Sequence, residues 1–381
     1  MTERRHFATF DALRFLAFFC VFISHLAAPA DSWFSYLQKS GGLGVRFFFV
    51  LSGFLITYIL LFEKQHKARI NLKNFFMRRT LRIWPLFYAM ILFAFLTPVI
   101  LRWTKLPFSS EGYEPNWILS CLFLENYQMM ATGSFPDSSP LNVMWSLCVE
   151  EHFYIFWGLL IFVVSVKQVP KLIAASIIGA TVVRVLYSNL GLPFLDMPSN
   201  IDYFAFGAIP AYCLLYKPRT IEKLQHLPHL FKYLVAASAI FFVFASPHFA
   251  FALKHFVDPI LSGLLFMLAV SFTLPGMNKL HVSDHHIMSR LGVFTYGLYL
   301  FHTICINLLL QLARKIGFQL QSSFDYLIFG VIAFLLTVVA SVLSYYLFEL
   351  KFLKLKKRFQ PVEVSGFGKQ DTKTATSLAQ P

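Results

Sequence analysis

Runs of about twenty apolar residues recur from one end of this chain to the other, and that recurrence constrains the fold more than any other feature. A helix needs about 20 such residues to cross a bilayer, because each adds 1.5 Å against a hydrocarbon core roughly 30 Å thick. Composition agrees: 57% of the 381 residues are hydrophobic and 14% charged, where a soluble domain carries roughly 25% charged residues. Backbone amides in hydrocarbon must bond within their own segment, so the expected fold class is an all-α integral membrane protein. About ten transmembrane helices are expected, near residues 9–29, 43–62, 83–103, 145–166, 171–190, 200–216, 231–247, 256–275, 290–312 and 325–349. The first run is read as a span and not as a cleavable leader, because Arg14 interrupts it. These spans make a single transmembrane domain over residues 1–358, and the polar stretch 359–381 reads as a disordered cytoplasmic tail.

Orientation follows from the basic residues. With the N-terminus inside, the cytoplasmic segments hold 24 Lys and Arg and the outer loops only 5. This bias places both termini in the cytoplasm of a multi-pass membrane protein. It also accounts for the net charge of +14: the basic residues flank spans and form no nucleic-acid surface. The 5 cysteines are scattered through apolar runs, in neither a disulfide nor a zinc pattern. The HVSDHH stretch from His281 to His286 reads as a solvated loop, so no metal is expected. The longest outer loop, Thr104 to Met144, mixes Glu111, Glu114, Glu125 and Asp137 with aromatic residues and Asn. That mixture suits a carbohydrate ligand and an ordinary folded loop equally.

Charged residues inside the spans are costly and therefore informative. Arg14 and His25 are eleven positions apart, which on a helix puts them within ~20° of one face and about 16.5 Å apart. Arg46 lies near the outer end of the second span, either snorkelling to headgroups or holding an anionic group. Arg78, Arg79 and Arg82 stand at the inner mouth of the third span, either as topological anchors or as a fork-rich patch for phosphate groups. Glu150 and Glu151 lie about two turns into the fourth span, so one of them faces the bundle, as a salt-bridge partner of Arg14 or Arg184 or in a functional role. Arg184 and Asp202, both toward the outer side, are placed to pair. Tyr296, Tyr299 and His302 form an i, i+3, i+6 ladder of hydrogen-bonding groups in the ninth span.

Assembled in order, these residues resemble the acyltransferase family 3 of membrane O-acyltransferases, over nearly all of residues 8–350. The resemblance is carried by the Arg14–His25 pair, by the GV-x-x-FFVLSGFLI block from Gly44 to Ile56, and by the RRxxRIxPxY block from Arg78 to Tyr88, offset by one at its tail. WSLxxEExFY from Trp145 to Tyr154 and Tyr-x-x-Tyr-Leu-x-His from Tyr296 to His302 complete it. Two positions depart from the family pattern: Arg46 stands where an Asp is frequent, and Asn200 where an Arg is frequent. Both lie toward the outer side, where they bear on the acceptor.

The resemblance implies transfer of an acyl group, acetyl by default, from cytoplasmic acyl-CoA to a hydroxyl of an extracytoplasmic saccharide or glycolipid. CoA is then a co-substrate, with no cofactor bound permanently. Arg78, Arg79 and Arg82 would hold its phosphates, His25 would act as general base, and Glu150 or Glu151 would orient His25. Arg14 would steer the donor, and Arg46, Arg184, Asp202, Tyr296, Tyr299 and His302 would serve substrate or structure. Partners are then membrane lipid, acyl-CoA and the acceptor, with a homo-oligomer or glycan-assembly proteins left open. One rival is a secondary transporter using His25, Glu150 and Arg14 as a proton or anion relay, although no repeated half-chain pattern supports it. The other is an inactive glycan-assembly scaffold, against which the intact Arg14–His25 pair and both glutamates stand.

Overall fold

The computed structural model describes residues 6–359 apart from 30–31, 68, 106–111, 138, 251–252 and 275–279. Among them are ten long helices and no strand. They are α1 (Thr9–His25), α2 (Gly41–Lys67), α3 (Leu72–Thr104), α4 (Trp145–Val163), α5 (Val169–Leu190), α6 (Met197–Tyr216), α7 (His229–Ala245), α8 (Lys254–Phe272), α9 (Thr295–Lys315) and α10 (Ser323–Ser344). Eight of these are long and apolar enough to cross a membrane, α1 and α6 being the other two. The protein is thus an all-α, multi-pass membrane protein. α1 has 17 residues, and α6 is buried along almost its whole first half, Ser199 to Ala208. Walled by protein along that half, α6 has no need of an uninterrupted apolar surface and can carry the buried Asp202.

Small residues set the closest approaches, as they do where lipid offers no hydrophobic drive between helices. α2 and α6 cross at two reciprocal glycines. A Cβ on Gly53 would fall 2.1 Å from the Phe204 carbonyl oxygen, and one on Gly207 would fall 1.9 Å from that of Val50. Around this crossing Phe49, Phe153 and Phe204 stack, with centroids 4.7 Å and 3.9 Å apart. Buried polar groups are matched across helices: Trp157 Nε1 donates to Thr57 Oγ1 at 2.8 Å, and Lys64 Nζ donates to the Ile161 carbonyl at 2.7 Å, at the end of α4.

Three elements differ from the sequence expectation. α3 begins eleven positions before the expected span, capped by the Asn71 side chain, which accepts from the Asn74 amide, so the arginines lie inside the helix. The expected ninth span is broken: Ile287–Gly292 is a separate short helix, because Gly292 packs directly on the Asp11 carbonyl and the chain must turn before α9. The long loop has structure of its own, with helices at Trp117–Cys121 and Glu125–Thr132 and a bridge between Tyr113 and Pro136. Its Glu125 is 1% exposed and accepts from the Tyr113 hydroxyl and Ser120 Oγ, and burial together with that carboxylate pushes the Tyr113 phenol up. Glu125 is therefore a clamp within the loop. Glu111 and the tail after Phe359 lie outside the described residues.

The reciprocal crossing predicts that Gly207→Val, which forces a branched side chain into the Val50 backbone, costs about 3 kcal/mol or more. Size-exclusion chromatography in mild detergent should show loss of the monodisperse species, while Gly179→Val, at a glycine facing open space, should elute as the parent does.

Candidate active site

A cavity of about 840 Å³ lies between α1, α2, α3, α4 and α9. Helix direction orders its lining. α1 and α3 bring Arg14, Arg79 and Arg82 to one end, α2 and α4 bring Ser52, Glu150 and Tyr154 to the middle, and Ser146 with Tyr299 stands at the other end. Arg14 Nη1 donates to Asp11 Oδ1 at 2.7 Å, a pairing within one turn. The Arg79 guanidinium lies 5.6 Å over the Tyr154 ring. Arg82 has no hydrogen bond among the described residues and feels the charge of Arg14 as repulsion and those of Asp11 and Glu150 as attraction. Three guanidiniums converge here, with Arg14 paired to Asp11 and with Glu150 and Glu349 within electrostatic reach, and such a fork-rich cluster in a cavity suits an anion with several oxygens.

Arg78 does not join this cluster. It is buried and donates through Nη2 to Glu63 Oε2 at 3.5 Å and through Nη1 to the Phe359 carbonyl at 2.7 Å. Glu63 also accepts from the Asn71 amide at 2.9 Å. Arg78 thus ties α2, the start of α3 and the last described helical turn together, although its spacing put it on the face of Arg82.

The two glutamates diverge as their adjacency requires. Glu150 faces the cavity and accepts from Ser52 Oγ at 3.1 Å and from the Tyr154 hydroxyl. Glu151 turns to α3, where Trp84 Nε1 donates to Oε2 at 3.1 Å and Oε1 is buried without a partner among the described residues. Neither carboxylate hydrogen-bonds to His25. In the ladder of α9, the Tyr296 hydroxyl donates to the Ile83 carbonyl at 2.7 Å, and the Tyr299 hydroxyl pairs with Ser146 Oγ at 2.6 Å and reaches the Val143 carbonyl at 3.2 Å.

His25 closes α1, and its neighbour is His302, one turn beyond Tyr299. The two rings meet edge to face with centroids 4.9 Å apart. Their partners assign the ring protons. His302 Nδ1 lies 2.7 Å from the Tyr299 carbonyl, and His25 Nδ1 lies 2.9 Å from that of Val21. A carbonyl only accepts, so both Nδ1 atoms carry hydrogen. His302 Nε2 then offers its lone pair to His25 Nδ1 at 3.4 Å, and His25 Nε2 keeps a lone pair with no hydrogen bond among the described residues. A neutral imidazole so arranged is a proton acceptor.

Arg46, Arg184 and Asp202 gather elsewhere, around a second cavity on the far side of α2. Arg184 and Asp202 form a two-pronged pair, at 3.0 Å and 2.6 Å. Residues outside the sequence reading also matter: Asp11 beside Arg14, Ser52 on Glu150, and Glu349. The last is buried in the π-helical turn Tyr345–Glu349 that continues α10 and lies within electrostatic reach of Arg82. An acidic residue late in an apolar run was the available signal.

A profile of an acyltransferase domain matches residues 7–346. The chain belongs to this family. It is 34% identical over 209 residues to peptidoglycan O-acetyltransferase OatA of Listeria monocytogenes, covering 53% of this chain and 32% of that one. It is 27% identical over 392 residues to the protein of Bacillus subtilis named "Putative peptidoglycan O-acetyltransferase YrhL", covering 96% and 56%. The chain thus spans about a third to somewhat over half the length of these curated relatives. No solved structure matches it.

The contrast between two arginines one turn apart gives a stability prediction. Arg78→Ala strands the buried Glu63 carboxylate and should lower stability by about 3 kcal/mol. Arg82→Ala removes a side chain that makes no hydrogen bond among the described residues and should lower the melting temperature in detergent by less than Arg78→Ala does. Differential scanning fluorimetry of both variants checks the order.

Proposed function

We propose that this protein transfers an acetyl group from cytoplasmic acetyl-CoA to a hydroxyl of a cell-wall saccharide on the outer side of the bacterial plasma membrane, with both termini in the cytoplasm. The observation that carries the reading is the arginine-lined cavity that reaches Tyr299, one helical turn before His302, whose ring in turn meets His25. The names of the relatives support the saccharide and the acetyl group, and the distribution of basic residues supports the orientation.

In this reading Arg79, Arg82 and Arg14 hold the CoA phosphates, and Arg78 holds the architecture that presents them. The pantetheine arm extends between α1, α4 and α9 toward His25, about 16.5 Å above Arg14 and so about half the hydrocarbon thickness. His25 Nε2 takes the proton of the acceptor hydroxyl as its oxygen attacks the thioester carbonyl. The carbon–sulfur bond breaks, the acetyl ester forms, and the imidazolium returns its proton to the departing thiolate, regenerating the neutral base and free CoA. His302 Nε2, facing His25 Nδ1–H, stabilises the charge that His25 gains, the part a carboxylate fills in a triad. Glu150 balances the arginines around the donor and does not act on His25.

His25→Ala should lower acetyl transfer by at least about 100-fold in proteoliposomes supplied with labelled acetyl-CoA and peptidoglycan fragments on opposite sides, with the protein still folded. Normal transfer by that variant would refute the mechanism. Under the same conditions Arg82→Ala should raise the KM for acetyl-CoA about tenfold with little change in kcat. His302→Phe should instead lower kcat about tenfold at unchanged KM, since it keeps the ring but not the lone pair. Proton-coupled solute uptake without CoA release would favour the transporter.

A further inference from the structure

The second cavity, about 490 Å³, opens between α2, α5, α6 and α8 and is lined by Arg46, Arg184, Asn200, Tyr203, Lys254 and His255, among others. It lies toward the end of the bundle that holds His25. The start of α2 touches α1 there, a Cβ on Gly41 falling on Ser24, and Arg46 is five positions, about 7.5 Å, further along α2. Val45 faces the arginine cavity and Arg46 faces this one, so a single helix separates the two.

The charges around this cavity do not cancel. Asp202 is taken up by both prongs of Arg184. Asp258 accepts from Ser246 Oγ at 2.5 Å and stands 3.9 Å from Lys254. Arg46 has no carboxylate: its guanidinium lies 5.6 Å over the face of Tyr203 and makes no hydrogen bond or ion pair among the described residues. A second donor is in want of an acceptor. Arg184 is 2% exposed, and its Nε–H is buried without a partner among the described residues. Asn200, beside them, commits its amide to the Phe194 and Asp196 carbonyls at 3.0 Å and 2.9 Å and brings no charge. One uncompensated guanidinium in a half-buried cavity is costly unless an anion comes to it.

We propose that this cavity is a binding subsite for a saccharide bearing a carboxylate, with Arg46 as the group that recognises the charge. The Arg46 guanidinium, held over the Tyr203 ring without a carboxylate partner, has a fork of donors that matches the two oxygens of a carboxylate. Phe194 and His255 supply ring faces, their centroids being 5.4 Å apart, and sugar rings pack on such faces. Asn200, Lys254 and Asp258 in its lining offer several hydrogen-bonding groups, as a saccharide requires. As a subsite for the acceptor this rests on the acyl-transfer reading, and it makes Arg46 the residue that selects acidic over neutral saccharides.

The test is binding to the full chain in nanodiscs by saturation-transfer NMR, with N-acetylmuramic acid as the carboxylate probe and its methyl ester as the uncharged control. The acid is expected to bind about tenfold more tightly than the ester, and Arg46→Gln to abolish that preference. Equal binding of acid and ester to the unaltered protein, which needs no variant, would overturn the proposal, as would a preference that survives Arg46→Gln. Binding of a short-chain phosphatidic acid that depends on Arg46, with none of the muramic acid, would assign the cavity to a lipid headgroup and overturn it too. The two readings fail separately. Acid preference without acetyl transfer to any saccharide refutes the acyl-transfer reading alone, and acetyl transfer without acid preference refutes the subsite alone.

Discussion

Inside a membrane a charge must be answered by the protein itself, and most of this architecture answers charges. Arg184 and Asp202 hold α5 to α6, Arg78 and Glu63 hold α3 to α2, and Asp11 answers Arg14 within α1. Lys64 satisfies carbonyls at the end of α4. Desolvating these groups consumes most of what their attraction returns, so such pairs specify which helices meet more than they add stability. What remains is correspondingly informative: Arg82, with no hydrogen bond among the described residues, in one cavity, Arg46 in another, and the lone pair of His25. The reading of function follows these three residues, because the fold itself has no use for them.

The architecture was legible because its cause is local. Apolar runs of span length mark the helices, and all ten long helices stand where the runs put them, with ends displaced by caps such as Asn71 and contacts such as Gly292 on Asp11. The pairing of Arg184 with Asp202 was also legible, since two opposite charges at one depth in adjacent spans have little other recourse. The site was less so. Helical spacing put Arg78 on the face of Arg82, but Arg78 is claimed by Glu63, 15 positions earlier, and by Phe359, 281 positions later. No argument confined to one helix contains either contact. Likewise Glu150 or Glu151 stood as the expected partner of His25, but Glu150 accepts from Ser52 and Tyr154 and Glu151 from Trp84, while a histidine from α9 meets His25.

That substitution of partners changes the chemistry expected of His25. A carboxylate would hold it by charge. His302 holds it by a lone pair, and the lone pair is available because the Tyr299 carbonyl fixes the proton on the other nitrogen. The Val21 carbonyl imposes the same orientation from within α1. Two backbone carbonyls thus leave one imidazole nitrogen as a base, at the end of the helix whose other half carries Arg14. Glu150, released from that duty, lies among the arginines, where it tempers a positive cluster that would otherwise repel itself.

The central claim is that one ligand spans both parts of the site, its phosphates at Arg79 and Arg82 and its reacting carbon at His25. A cryo-electron microscopy structure with a non-hydrolysable thioether analogue of acetyl-CoA tests it most directly. The account predicts phosphate density against those two arginines and an acyl carbon within about 4 Å of the position an acceptor oxygen bonded to His25 Nε2 would occupy. Phosphates bound away from the arginine cavity, or an acyl carbon held at the arginine end with His25 out of reach, would contradict it.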